Sequence, residues 1–181
     1  ERVVVSQLIR SAGVFFTSSV AKGRRYYGAK IIPNRGAWLE LETDSNNVIW
    51  VKIDRKRKVA VTSLLRAFGY ESDEELISLF KDIDIHPDVK YVQETINKDV
   101  AKSMSEGLIE VYKRIRPGDM ATPDNARSLI YAMFFNFERY DFSQVGRYKL
   151  NQRFKQNIPI NKENRILKRE DLVEIIKRII T

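Results

Sequence analysis

A change of hydrophobic period divides this chain. Trp38, Leu39, Glu40 and Leu41 alternate between two faces, and Val48 to Ile53 alternates likewise. The polar run Asp44-Ser45-Asn46-Asn47 between them has the composition of a turn, so the two segments read as a β-hairpin. Upstream, Arg2 to Phe16 is rich in strand-forming residues and is broken at Arg10-Ser11-Ala12-Gly13, where Gly13 permits a turn that a β-branched residue resists. A Gly/Arg/Tyr stretch, Gly23 to Gly28, leads into the hairpin. Residues 1–60 are therefore expected to form a β-rich part.

From residue 61 the pattern turns helical. Val61, Leu64, Leu65 and Phe68 share one face, and Gly69 supplies a stop. Ser72-Asp73-Glu74-Glu75 has capping-box spacing before Leu76, Ile77 and Phe80. Ile96, Val100, Met104, Leu108, Tyr112 and Ile115 fall near one stripe, which predicts the longest helix, ended by Pro117-Gly118. Thr122-Pro123-Asp124 reads as an N-cap with Pro at the first helical position, opening a helix that carries Ala126, Leu129, Ile130, Met133 and Phe134. Asp141 or Ser143 can cap a basic helix through Arg147 to Arg153, and Leu172, Ile175, Ile176 and Ile179 define a last one. The fold class expected is α+β, a single domain over residues 1–181 with a mainly helical part at 61–181.

Composition narrows the setting. The chain of 181 residues carries 32 basic and 24 acidic side chains, a net charge of +8, and is 43% hydrophobic, enough for a core and basic enough to make nucleic acid the first partner to test. Without cysteine it has no disulfide framework and no thiolate metal site. The longest apolar run, Leu129 to Phe135, is too short to cross a bilayer, and no signal peptide opens the sequence, so a cytoplasmic location is expected. Glu1 leads straight into Val3-Val4-Val5, which suggests a piece of a longer polypeptide.

Catalytic chemistry is thinly supplied. The one histidine, His86, lies among turn formers in Asp84-Ile85-His86-Pro87-Asp88 and reads as a loop residue. No serine sits in a nucleophile elbow, and the eight glycines form no phosphate-cradling loop. Glu40, Glu42 and Asp54 could approach one another as a metal-dependent nuclease requires, but Glu40 and Glu42 also read as solvent-facing strand residues opposite Lys52. Two basic groups stand out. Arg55-Lys56-Arg57-Lys58 is compact, and Arg147, Lys149, Arg153, Lys155, Lys162, Arg165, Lys168 and Arg169 are opposed only by Glu163 within their stretch. Either is a solvated face or a phosphate-binding one. Trp38, Arg35 and Tyr26-Tyr27 beside the first group favour nucleic acid, with Trp38 either stacking on a base or packing in the core. Trp50, among Val48, Ile49 and Val51, is expected in the core.

Several blocks, in order, resemble one family. Glu1 to Phe16 (ERVVVSQLIRSAGVFF), Ile31-Ile32-Pro33 with Arg35-Gly36-Ala37-Trp38, and Lys52 to Lys58 with Leu64 to Tyr70 look like the bacterial RNA polymerase β subunit. Ile115 to Asp119, Arg139 to Phe142 and Val145 to Asn151 complete the resemblance, which is to the β2, or lobe, domain. Ala12 stands where many relatives have Pro and Ile9 where many have His, and Lys81 to Met104 matches no strong motif.

The resemblance implies a mixed β and α lobe lining the downstream DNA cleft and facing the clamp. The β′ aspartates that hold magnesium lie outside such a lobe, so no cofactor and no catalytic residue is expected in this chain. Arg10 and Trp38 match positions near the non-template strand, and Arg55, Arg57, Arg116 and Arg139 match basic positions along the same path. Val5 and Gln7 match the rim of the rifamycin pocket. The implied partners are DNA, the β′ and α subunits, sigma factor and transcription regulators. The competing reading is a basic protein-docking module that recruits regulators without touching DNA.

Overall fold

The computed structural model describes residues 12–70, 72–81, 91–99 and 101–180. Arg10, Val5, Gln7 and His86 lie outside the described residues. The architecture is α+β, as the periodicities predict: a five-stranded antiparallel sheet in the order β1-β2-β3-β4-β5, followed by helices. The strands are β1 (Gly13–Ala21), β2 (Arg24–Ile32), β3 (Leu39–Thr43), β4 (Ile49–Ile53) and β5 (Val59–Ala60). The helices are α1 (Val61–Ala67), α2 (Asp73–Phe80), α3 (Tyr91–Lys98), α4 (Met104–Ile115), α5 (Pro123–Ile130), α6 (Ser143–Phe154) and α7 (Arg169–Ile180). None is long and apolar enough to cross a membrane.

The predicted hairpin is β3–β4, with Leu39, Leu41 and Thr43 facing the core opposite Ile53, Val51 and Ile49. Its turn is organised by Asp44, whose Oδ1 accepts from the amides of Asn46 (2.8 Å) and Val48 (3.0 Å) while Oδ2 accepts from Trp50 Nε1 (2.7 Å). Trp50 is therefore not a core residue. It is half-buried on the outer face, with Lys58 Nζ 4.8 Å from its ring centroid. Burial pushes the Asp44 carboxyl upward, but the Trp50 indole, the two amides and the Lys58 charge outweigh it, so its pKa lies below the usual carboxylate value. A depressed folded-state pKa contributes stability above the unfolded value, and that contribution is lost as pH falls through the folded one. The advantage of the wild type over Asp44→Asn in urea should therefore shrink between about pH 6 and about pH 3. An advantage that stays constant across that range would exclude this role for the charge.

Gly23 to Gly28 is more than a lead-in, because Arg24–Ile32 is itself a strand paired with β1 along its whole length. Lys22 (φ 52°) and Gly23 (φ 77°) are both left-handed, the geometry of a two-residue turn whose twist matches that of the flanking strands. The outer half of this ribbon is mostly exposed on both faces, which is why no burial alternation announces it.

The helices bury their apolar stripes in a core shared with the inner sheet face. The predicted caps Ser72 and Thr122 are in place, accepting from the amides of Glu75 and Asn125, and Ser103, a cap that the apolar stripe did not predict, accepts from that of Glu106. At α6 both predicted caps act, Asp141 Oδ1 on the amide of Ser143 (2.8 Å) and Ser143 Oγ on that of Gly146 (3.3 Å). The expected long helix from Ile96 to Ile115 is two helices, α3 and α4. Asp99 turns inward between them and Ser103 starts the second. α4 crosses α1 at Gly107, where a Cβ would lie 2.8 Å from the Ser63 carbonyl oxygen, so any side chain would push the helices apart. Beyond α5 the chain widens into a π-helical turn (Tyr131–Phe135), from which Phe134 and Phe135 both reach Phe68, with ring centroids 5.6 and 5.0 Å away.

Candidate nucleic-acid interface

One end of the sheet, where β2 and β4 leave and β3 begins, gathers the predicted aromatic and basic residues. After β2 the chain turns through Pro33 and is pinned to a distant segment. The amides of Asn34 and Arg35 donate to the Asp141 carbonyl (2.8 and 3.1 Å), and the Asp141 amide returns a bond to the Arg35 carbonyl (2.8 Å). Gly36 (φ 128°) allows this contact, since a Cβ there would lie 2.7 Å from the Tyr140 ring and 3.0 Å from the Arg139 carbonyl. Exposed Arg139 is thereby placed two residues, through Gly36, from the approach to Trp38.

Trp38 lies between buried Ala37 and Leu39 but is itself half-buried, so it does not join the core. Its backbone is fixed on both sides: its amide donates to Asp54 Oδ1 (3.0 Å), and its carbonyl accepts from the Asp54 amide (3.0 Å). Asp54 and Arg55 are left-handed (φ 50° and 60°), and the Lys56 amide closes the turn onto the Ile53 carbonyl (3.1 Å). That turn brings the Arg55 guanidinium to 5.7 Å from the Trp38 ring centroid, a cation–π contact.

The four consecutive cations do not act as one patch. Arg55, 76% exposed, attends Trp38 and approaches Glu40 at 4.0 Å. Lys56 donates to the Ile115 carbonyl (2.7 Å) at the end of α4, which carries exposed Arg116 to the same region. Arg57 is exposed, and Lys58 lies over Trp50. The fold thus assembles Trp38, Arg55, Arg57, Arg116 and Arg139, drawn from four separate sequence blocks, around the end of one hairpin.

Phe137 was not singled out by sequence reasoning. Arg35 and Arg165 place their guanidinium carbons 5.6 and 5.1 Å from its ring centroid, and Arg35 Nη2 donates to its carbonyl (2.7 Å). The available signal was an aromatic residue inside the polar turn Asn136 to Arg139.

The second basic group is divided by the fold. Arg147 is fully buried on Asp171, and Arg165 forms a two-pronged pair with Asp141 (2.9 and 2.8 Å). These cations are structural, and their counter-ions come from outside the stretch that Glu163 alone seemed to balance. Nearby, the Tyr140 hydroxyl is fully buried with no hydrogen-bond partner among the described residues. Burial first, and then the Asp171 charge, push its pKa well above the usual tyrosine value against the opposing pull of Arg147.

The hairpin carboxylates do not fit a magnesium site. Glu42 pairs with Lys52 (3.3 Å), Glu40 approaches Arg55, and Asp54 accepts from the Trp38 amide. Among the described residues no group of three His, Cys, Asp or Glu side chains is arranged to hold a metal ion.

Comparison with known proteins agrees with the sequence blocks. Residues 10–181 match the family model described as RNA polymerase Rpb2, domain 2. The chain is 51% identical over 183 aligned residues to a DNA-directed RNA polymerase subunit beta of Dehalococcoides mccartyi, covering 99% of this chain and 14% of that protein. Subunits of the same name from Clostridium botulinum (50% over 161 residues; 88% and 12%) and an Exiguobacterium species (49% over 154 residues; 84% and 12%) are similar as well. The chain spans about one-seventh of the length of these curated relatives. Because the match runs from residue 10 through α7, taking in the sheet, the helices and the cationic end between them, the chain belongs to the family of RNA polymerase Rpb2, domain 2.

Proposed function

We propose that this chain is the lobe of a bacterial RNA polymerase β subunit, lining the downstream DNA cleft and meeting the non-template strand on the Trp38 end of its sheet. The observation that carries the reading is the half-buried, backbone-locked Trp38 ring attended by exposed Arg55. A rigid aromatic face suits an unpaired base, and Arg57, Arg116 and Arg139 around it suit backbone phosphates. The chemistry of nucleotide joining belongs to other parts of the enzyme, with magnesium held by the β′ subunit. This chain contributes positioning and electrostatics in a cytoplasmic assembly with β′, α and sigma. By resemblance to the family, Arg10 is assigned the same DNA-facing role and Val5 and Gln7 the rim of the rifamycin pocket.

Single-stranded DNA binding measured against salt tests this reading. Trp38→Ala should weaken binding by about 1–3 kcal/mol while leaving the salt slope unchanged. Arg55→Ala and Arg57→Ala should each reduce the slope, which for about four to six neutralised phosphates is roughly −3 to −5 in logarithmic units. Equal affinity in the wild type and all three variants at low salt would favour the protein-docking alternative.

A further inference from the structure

The opposite margin of the sheet carries a second cationic feature that the DNA-facing reading does not use. β1 is an edge strand, paired among the described residues with β2 alone, and it is exposed from Thr17 to Ala21. Such an edge directs backbone N–H and C=O groups outward, ready for another strand. Two hollows flank it and share Arg153 as a common wall. One, of about 610 Å³, lies between Val14 of β1 and Lys149 and Leu150 of α6. The other, of about 250 Å³, lies between Phe16 and Tyr27 of the first hairpin and Arg178 and Ile179 of α7.

Arg153 stacks on Phe16, its guanidinium carbon 5.1 Å from the ring centroid, and its carbonyl accepts from Arg178 Nη2 (3.2 Å). Both arginines line the smaller hollow. No acidic residue lines either hollow, and neither arginine has an ion pair among the described residues. A carboxylate entering a hollow that two exposed arginines line, with no acidic side chain in it, gains charge-assisted hydrogen bonds.

We propose that the β1 edge and the Arg153–Arg178 pair form a docking groove for an acidic segment of a partner protein, bound as an added strand. The segment pairs along Thr17 to Ala21 and lays its carboxylates on the two guanidiniums. A strand alternates its side chains, so apolar residues between the acidic ones meet Phe16, Tyr27 and Ile179 in the smaller hollow. Nucleic acid suits the groove less well. Arg153 already covers Phe16, and free strand amides beside an apolar floor match a polypeptide backbone better than stacked bases.

The test uses the 181-residue chain and a fluorescent peptide of alternating valine and glutamate, about eight residues long at roughly 3.3 Å per residue. Arg153→Glu and Arg178→Glu should each weaken binding by about tenfold, whereas Arg127→Glu, an equal charge change on α5, should not. N-methylation of alternate peptide amides, which preserves charge but removes strand pairing, should abolish binding. Both arginines are exposed, and matching circular dichroism melts check that the variants stay folded. Equal affinity for the N-methylated peptide, or indifference to both charge reversals, overturns the proposal. So does single-stranded DNA that binds more tightly than the peptide through Arg153, an outcome that would make the groove a nucleic-acid site and leave the Trp38 surface unaffected.

Discussion

Replacing Arg147 with leucine should lower the unfolding free energy by about 3–5 kcal/mol, a large share of the roughly 5–15 kcal/mol typical of a domain. Arg147 and Asp171 are both fully buried and meet through two parallel hydrogen bonds of 2.9 and 2.8 Å. Arg147 also donates to the carbonyls of Ile166 (2.8 Å) and Asn164 and packs on the Phe142 ring at 5.5 Å. Four donor directions of one planar fork therefore tie α6 to the segment ahead of α7 and to α7 itself. Leucine fills part of the volume but leaves Asp171 as an uncompensated buried charge and two carbonyls without their donor. Arg147→Lys should recover little, because a single ammonium cannot reproduce the fork. Pairing Arg147→Leu with Asp171→Leu should cost less than the sum of the single changes, since removing both charges avoids the stranded one. Urea titrations followed by circular dichroism read these differences as midpoint shifts. A loss below about 1 kcal/mol for Arg147→Leu would mean that the pair contributes little beyond packing.

Arg147 also marks a limit of what sequence can convey. In the one-dimensional record it belongs to a basic stretch facing Glu163 alone, and that stretch reads as one solvated or phosphate-binding face. Its partner is 24 positions away on another helix, and the partner of Arg165 is as far away, in the bridge ahead of α6. Charge patterning registers local neighbours, and these pairs exist only once α6, α7 and the Asp141 corner have packed. What depends on local chemistry was legible. The β3–β4 hairpin follows from alternation and a polar turn, and the stops and caps at Gly69, Ser72 and Thr122 follow from residues that satisfy helix-end backbone groups within a few positions. The outer half of the β1–β2 ribbon was not, because strands exposed on both faces leave no alternation to detect.

The candidate interface shows the same division. Trp38 and the cationic run were visible as residue types, and the choice between core and surface for Trp38 turned on Asp54. A single carboxylate accepts the Trp38 amide and starts the turn that carries Arg55 over the ring. Sequence placed four cations in a row but could not say that Lys56 would be drawn to the end of α4 and Lys58 to Trp50. Phe137 gained its place between two guanidiniums only through the long-range bridge between Arg35 and Asp141.

Asp99→Ala should be nearly as damaging as loss of Arg147, about 3–5 kcal/mol, because Asp99 is where the expected single helix becomes two. The apolar stripe from Ile96 to Ile115 is continuous enough to suggest one helix, yet the side chain at position 99 has an appointment elsewhere. It is 1% exposed and accepts from Thr62 Oγ1 (2.6 Å), Ser63 Oγ and the Ala101 amide (3.0 Å). It also lies 3.4 Å from Nε of Arg66, whose side chain is 0% exposed and which also pairs with Asp73. Continuing α3 would carry this carboxylate away from Thr62, Ser63 and Arg66, so the chain breaks its helix and restarts it at the Ser103 cap. Alanine removes the acceptor for two hydroxyls and one amide, and takes a carboxylate from beside the buried Arg66. Asp99→Asn, which keeps the shape but not the charge, should fall between the wild type and alanine. If the network acts as a unit, adding Arg66→Met to Asp99→Ala should cost much less than the two changes taken separately. Strict additivity in urea, or an Asp99→Ala loss no greater than the roughly 1 kcal/mol expected for Ser103→Ala at an ordinary cap, would show that the break has another cause.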